Sequence, residues 1–116
     1  MHGRSNLQFF HPGEKTAWEH LHKLGHILLC HNFRTIEGEI DLITKDASDV
    51  IHFYEVKSWN CDEAFHPIQI FNYKKKNTMR KLAYLYFLEN DLDAVTISFG
   101  LIWIQKEKIE VFDDVF

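Results

Sequence analysis

A chain of 116 residues, 46% hydrophobic and 15% aromatic, has the length of one domain and enough apolar side chain for one core, which excludes a disordered polypeptide. No apolar run approaches the roughly 20 residues that span a bilayer, and the opening Met1-His2-Gly3-Arg4-Ser5-Asn6 lacks the apolar stretch of a secretory leader, so a cytoplasmic protein with no membrane partner is expected. The net charge of -4 argues against a strong non-specific grip on nucleic acid through phosphates, and two cysteines, Cys30 and Cys61, form no disulfide framework.

Residues 1–12 read as an irregular arm and 13–116 as a single domain. Helical periodicity over 13–24 buries Ala17, Trp18, Leu21 and Leu24, and Gly25 supplies the C-cap. Glu14, three and four residues before Ala17 and Trp18, falls on that same inward face. A carboxylate in a first helical turn complements the helix dipole, so the position has a structural explanation as well as a functional one.

Three β-like runs follow, 26–33, 39–45 and 50–58, joined by turn chemistry that includes Asp46-Ala47-Ser48-Asp49; they read as a meander. After a loop around 60–67, a second helix over 72–89 carries the core stripe Met79, Leu82, Ala83 and Tyr86. Lys75 extends that stripe toward the helix N-terminus, a basic residue aimed inward that snorkelling alone would explain. Five of the 13 Lys and Arg residues, Lys74, Lys75, Lys76, Arg80 and Lys81, fall on this helix but fan around it. Three short strands close the chain, 94–99, 101–105 and 109–112, with Gly100 separating the first two. The order predicts an α/β fold with a mixed central sheet flanked by helices.

Charge inside the strands is the main clue to function. In Gly38-Glu39-Ile40-Asp41-Leu42-Ile43 and Phe53-Tyr54-Glu55-Val56-Lys57, charged residues interrupt stretches built for burial. Asp41, Glu55 and Lys57 are therefore solvated at a sheet end, paired with one another, or holding a cation. Strand alternation puts Glu55 and Lys57 on one face, and antiparallel pairing about 4.8 Å apart would set Asp41 beside Glu55. Two adjacent carboxylates repel, and a divalent ion that favours oxygen ligands relieves the repulsion. A neighbouring ammonium could orient a water or offset charge growing on a phosphate, which points to metal-assisted hydrolysis of a phosphate ester.

The order Glu on a first helix, Asp on a second strand and Glu-x-Lys on a third resembles the restriction endonuclease-like PD-(D/E)XK nuclease superfamily, with its α-β-β-β-α-β core. Within it the chain is most similar to the uncharacterised YraN family, related to Holliday junction resolvases. The resemblance runs from Gly13-Glu14, Ala17 and Leu21 through Gly25, Asn32, Arg34, the Gly38-to-Ile43 string, Glu55-Val56-Lys57, Phe65, Pro67, Lys75, Leu82-Ala83 and Tyr86 to Asp93. It implies a Mg²⁺ or Mn²⁺ ion on Asp41, Glu55 and the Val56 carbonyl, with Lys57 positioning the attacking water and Glu14 completing the acidic cluster. It further implies a DNA partner, branched or single-stranded, contacted by Lys75, and by analogy a homodimer. The chain departs from the pattern at Trp59 and Asp91, where arginines are expected, at Leu92 for a Phe, and at Ile40 for the proline before the Asp.

The functional expectation is thus an endonuclease or nucleic-acid-binding protein acting on structured DNA by phosphodiester hydrolysis, its alternative a non-catalytic adaptor that keeps the fold. The acidic balance and the missing arginines favour the adaptor; the complete Glu14, Asp41, Glu55, Lys57 set favours the enzyme. His20, His22, His26 and His31 crowd around Cys30, but their spacing repeats no tetrahedral zinc pattern. Trp59, Phe65 and Tyr73 could stack on bases, though aromatic residues around a loop more often close a core.

Overall fold

A computed structural model describes residues 10–58, 67–92 and 96–116. Helix α1 (Pro12–Lys23) is followed by strands β1 (Ile27–Thr35), β2 (Gly38–Lys45) and β3 (Ile51–Ser58), helix α2 (Tyr73–Asn90), and strands β4 (Ile97–Gln105) and β5 (Lys108–Phe112). The five strands lie in one sheet in chain order. β1, β2 and β3 form the expected antiparallel meander, whose Asp46 turn is held by Asp46 Oδ1 accepting the amides of Ser48 (2.8 Å) and Val50 (3.1 Å). β3 and β4 run parallel, because the chain crosses over through α2 between them, and this pair makes the sheet mixed. The expected α/β architecture is what the chain adopts.

Each face of the sheet has its own core. One contains Phe33, Ile43, Phe53 and Leu101 beneath the α2 stripe Met79, Leu82, Ala83 and Tyr86, all four buried as the periodicity requires. The other contains Leu42, Tyr54 and Ile102 against Ala17 and Leu21 of α1. Leu24, expected in that core, is 59% exposed: it is the C-cap of α1, where the backbone has already left the helix and the side chain no longer follows the buried face.

A second correction concerns Gly100, which does not divide two strands but lies inside β4. It pairs with Tyr54, and a Cβ there would come within 2.7 Å of both the Tyr54 ring and the Phe112 carbonyl oxygen. Glycine makes room for the aromatic ring, so the strand continues through it.

The sheet divides at one place. β2–β3 pairing stops at Leu42↔Tyr54, although β2 begins at Gly38 and β3 runs on to Ser58. From there the start of β2 stays with β1 and the end of β3 stays with β4. The N-terminus of α1 closes against the split, since Gly13 sits where a Cβ would meet Ser58 Cβ at 3.3 Å.

Candidate metal centre

The split forms a cleft of ≈ 320 Å³ lined by Gly13, Glu14, Glu39, Asp41, Glu55, Val56, Lys57 and Ser58, together with His11. Asp41 is the first β2 residue past the last paired rung, and its side chain takes over the lost pairing: Oδ2 accepts the Val56 amide at 2.7 Å. Glu55 is 6% exposed, and its Oε1 is held by Lys75 Nζ at 2.8 Å and Lys57 Nζ at 3.3 Å. Lys75 projects from the first turn of α2, capped by Asn72 Oδ1 accepting the Lys75 amide at 2.8 Å. Its inward aim therefore ends on a carboxylate at the cleft.

Glu14 enters from α1 and is 5% exposed. Its Oε1 accepts the His11 amide at 3.2 Å, which fixes the start of the helix, while Oε2 lies 3.1 Å from His11 Nδ1 and accepts Asn32 Nδ2 at 2.9 Å. Glu14, Asp41, Glu55, Val56 and Lys57 thus share one cleft, and Lys75 reaches it through Glu55. Helix-dipole complementarity does not account for a Glu14 carboxylate buried this deeply and bonded to a strand residue.

The electrostatics are lopsided. Burial first, then the charge of Glu55, with smaller contributions from Glu14 and Glu39, pushes the Asp41 carboxyl up to about 8 against the pull of the Val56 amide. Both effects favour the neutral form of Asp41, and a bound cation would favour the charged form instead. Among the described residues, no three His, Cys, Asp or Glu side chains gather closely enough to hold a metal ion. The carboxylates that line the cleft are those of Glu14, Glu39, Asp41 and Glu55, with the Val56 backbone beside them, so its donors are oxygen. That set suits a hard ion such as Mg²⁺ or Mn²⁺ that keeps part of its water shell, and it does not make a closed zinc cage.

At the other end of β3 the buried His52 and Tyr54 meet two carboxylates nearer the surface. His52 Nε2 is 2.8 Å from Asp46 Oδ2, its Nδ1 is 3.5 Å from Asp113 Oδ1, and the Tyr54 hydroxyl donates to Asp113 Oδ1 at 2.7 Å. Burial pulls the His52 imidazole down, but its bonds to Asp113 and Asp46 outweigh burial and hold it above its ordinary value. Asp113 is held low, mainly by His52. Nearby, burial and His52 lower His26, whose Nδ1 is 2.8 Å from Thr44 Oγ1.

Sequence reasoning passed over several of these residues. Glu39 and His11 line the cleft, and Asn32, noted only as a match to a family pattern, bonds Glu14 directly. An amide inside the apolar run of β1 was the available signal. Cys30 is buried, with its thiol pushed up to about 12 by burial, and His31 is packed 4.3 Å from the Phe10 ring; both serve the interior. Tyr73 is exposed at the start of α2. Residues 1–9 of the expected arm, Trp59, Cys61, Phe65 and Asp93 lie outside the described residues. Among the described residues, no helix is long and apolar enough to cross a membrane.

Comparison with known proteins matches residues 13–104 to the model of "Uncharacterised protein family UPF0102". A UPF0102 protein of Thermodesulfovibrio yellowstonii is 36% identical over 112 residues, covering 97% of this chain and 98% of the relative. One of Clostridium tetani is 37% identical over 99 residues, covering 85% and 80%. Another, of Leptospira interrogans, is 35% identical over 97 residues and covers 83% of each chain.

Proposed function

Because the chain belongs to UPF0102, the YraN-type group with a PD-(D/E)XK nuclease-like core, we propose that it is a Mg²⁺- or Mn²⁺-dependent endonuclease acting on structured DNA, branched or single-stranded. The observation that carries the reading is the Asp41–Glu55 neighbourhood: a buried Glu55 and a half-buried Asp41 line one cleft where the sheet splits, with the Asp41 carboxyl bound to the Val56 amide. The residues that would hold the ion are Asp41, Glu55 and the Val56 carbonyl. Asp41 Oδ2 already serves the Val56 amide, which orients the carboxyl and fixes the backbone at Val56. When bound, the ion supplies positive charge that polarises the phosphodiester and makes a water easier to deprotonate.

Hydrolysis adds water across a P–O bond: the water oxygen bonds to phosphorus, one ester P–O bond breaks, and the leaving oxygen takes up a proton. Lys57 projects from the same strand as Glu55 at the mouth of the cleft, where an ammonium can orient the attacking water and offset charge building on the phosphoryl oxygens. Lys75 shares Glu55 Oε1 with Lys57. A phosphate entering the cleft would draw on that ammonium as well, in keeping with a DNA-contacting role. Glu14 adds a second buried carboxylate beside Glu55.

A second reading, a binding or adaptor domain that keeps the fold without cleavage, is favoured by the net charge of -4 and by Asp91. Where the family pattern has a basic residue, Asp91 caps α2 in a left-handed conformation at φ 51°. A panel of duplex, single-stranded and branched DNAs incubated with Mg²⁺ or Mn²⁺, and with chelator, separates the two. The nuclease reading expects ion-dependent cleavage that is lost in Glu55→Gln and Lys57→Ala at an unchanged unfolding midpoint. DNA binding without cleavage under every condition supports the adaptor instead.

A further inference from the structure

One polar residue of the site neither faces the reacting position nor belongs to the strand pattern around it. Asn32 lies within β1 yet has a left-handed backbone, φ 51°. The β1–β2 ladder passes from His31↔Leu42 to Phe33↔Ile40, so the rung it omits is the one where Asn32 would face Asp41. Cys30 and Phe33, three residues apart, belong to the same core, as do Ile40 and Ile43. Unbroken strands would send each of those pairs to opposite faces. Both strands therefore break step at one level, and that level is the metal cleft.

The break turns the Asn32 amide toward α1. Its Nδ2 donates to Glu14 Oε2 at 2.9 Å, and its Oδ1 lies 3.0 Å from Nδ1 of His31, a ring that is only 8% exposed and packed on Phe10. One amide thus ties the Glu14 carboxylate to a residue anchored in the sheet. Asparagine is also among the few residues that tolerate a left-handed backbone, so the position could be explained by backbone need alone. Glycine meets that need equally well, and it has no amide.

We propose that Asn32 is a positioning residue that holds the Glu14 carboxylate in the orientation the metal cleft requires. This rests on the reading of the cleft as a Mg²⁺ or Mn²⁺ site. The direct test is titration calorimetry with Mn²⁺ alone on the full chain, alongside thermal unfolding, for wild type, Asn32→Gly, Glu14→Gln and the double variant. Asn32→Gly should lower the unfolding midpoint modestly, stay fully folded at the titration temperature, and weaken Mn²⁺ binding by about tenfold, the lower end of what outer partners of metal ligands contribute. Because Asn32 acts through Glu14, the double variant should bind no more weakly than Glu14→Gln. Wild-type affinity in Asn32→Gly overturns the inference, as does unchanged affinity in Glu14→Gln. If wild type itself binds no Mn²⁺, the reading of the site fails and takes this inference with it, an outcome distinct from binding that merely ignores Asn32.

Discussion

The two ends of β3 bury charge in opposite ways. At the start of the strand, His52 stands between Asp46 and Asp113, with Tyr54 donating to the same Asp113 oxygen, so the imidazolium is matched by carboxylates that are themselves held ionised. At its end, Asp41 and Glu55 meet with Glu14 close by, and burial and the Glu55 charge push the Asp41 carboxyl up to about 8. The first cluster is complete within the chain and ties the C-terminal tail and the Asp46 turn to the sheet. The second crowds carboxyl groups so that one of them, Asp41, is driven toward its neutral form, which is a reason to look there for a cation. Burial of polar groups does not by itself mark a functional site; imbalance does.

Asp41→Asn breaks the contrast most sharply. An Asn amide oxygen can still accept the Val56 N–H but cannot become a carboxylate, so Mn²⁺ affinity should fall by more than about 100-fold, beyond the range typical of outer-shell partners. The metal-free variant should nevertheless gain stability relative to wild type as the pH rises. The folded Asp41 keeps a proton that the unfolded chain gives up near 3.8, so its contribution to stability is present at low pH and lost between that value and about 8. Unfolding midpoints of both proteins at pH 5 and pH 8 measure this: the gap should open at pH 8. A constant gap would mean that Asp41 is not strained in the folded state.

His52→Gln should do the reverse, leaving Mn²⁺ affinity intact while costing about 2 kcal/mol of stability at pH 6, the scale of hydrogen bonds to charged groups. The folded His52 pKa lies above 6.5, so its stabilisation is complete below that value and is lost as the pH rises through the folded pKa. Denaturant titrations should therefore show the wild-type advantage shrinking as the pH is raised from 6 through the alkaline side of 6.5. A loss of metal affinity in this variant would erase the distinction between the two ends.

The unbalanced end was legible in the sequence because alternation is a local rule: Glu55 and Lys57 two apart on one face, with Asp41 on the neighbouring strand of a meander, can be counted off directly. Glu14 was legible for the same reason on a helix. The balanced end was not, since it joins the Asp46 turn, the middle of the sheet and the C-terminal tail. Tyr54 and Asp113 lie 59 residues apart, and no local period connects them. Gly100 misled because its reason is an aromatic ring on the adjacent parallel strand, and a glycine that makes space looks like one that makes a turn. Asn32 was hidden because its left-handed backbone suspends the alternation on which the strand reading depends.

The central claim, that the cleft at the end of β3 is a cation site held in waiting by a protonated Asp41, is tested most directly by the proton balance of metal binding. Mn²⁺ titrated calorimetrically at pH 7 in two buffers of different ionisation enthalpy should show one binding event that releases close to one proton, with the released fraction declining as the pH passes about 8. Asp41→Asn should show neither the binding nor the release. Binding of equal strength in that variant, or wild-type binding that releases no proton at pH 7, would contradict the account.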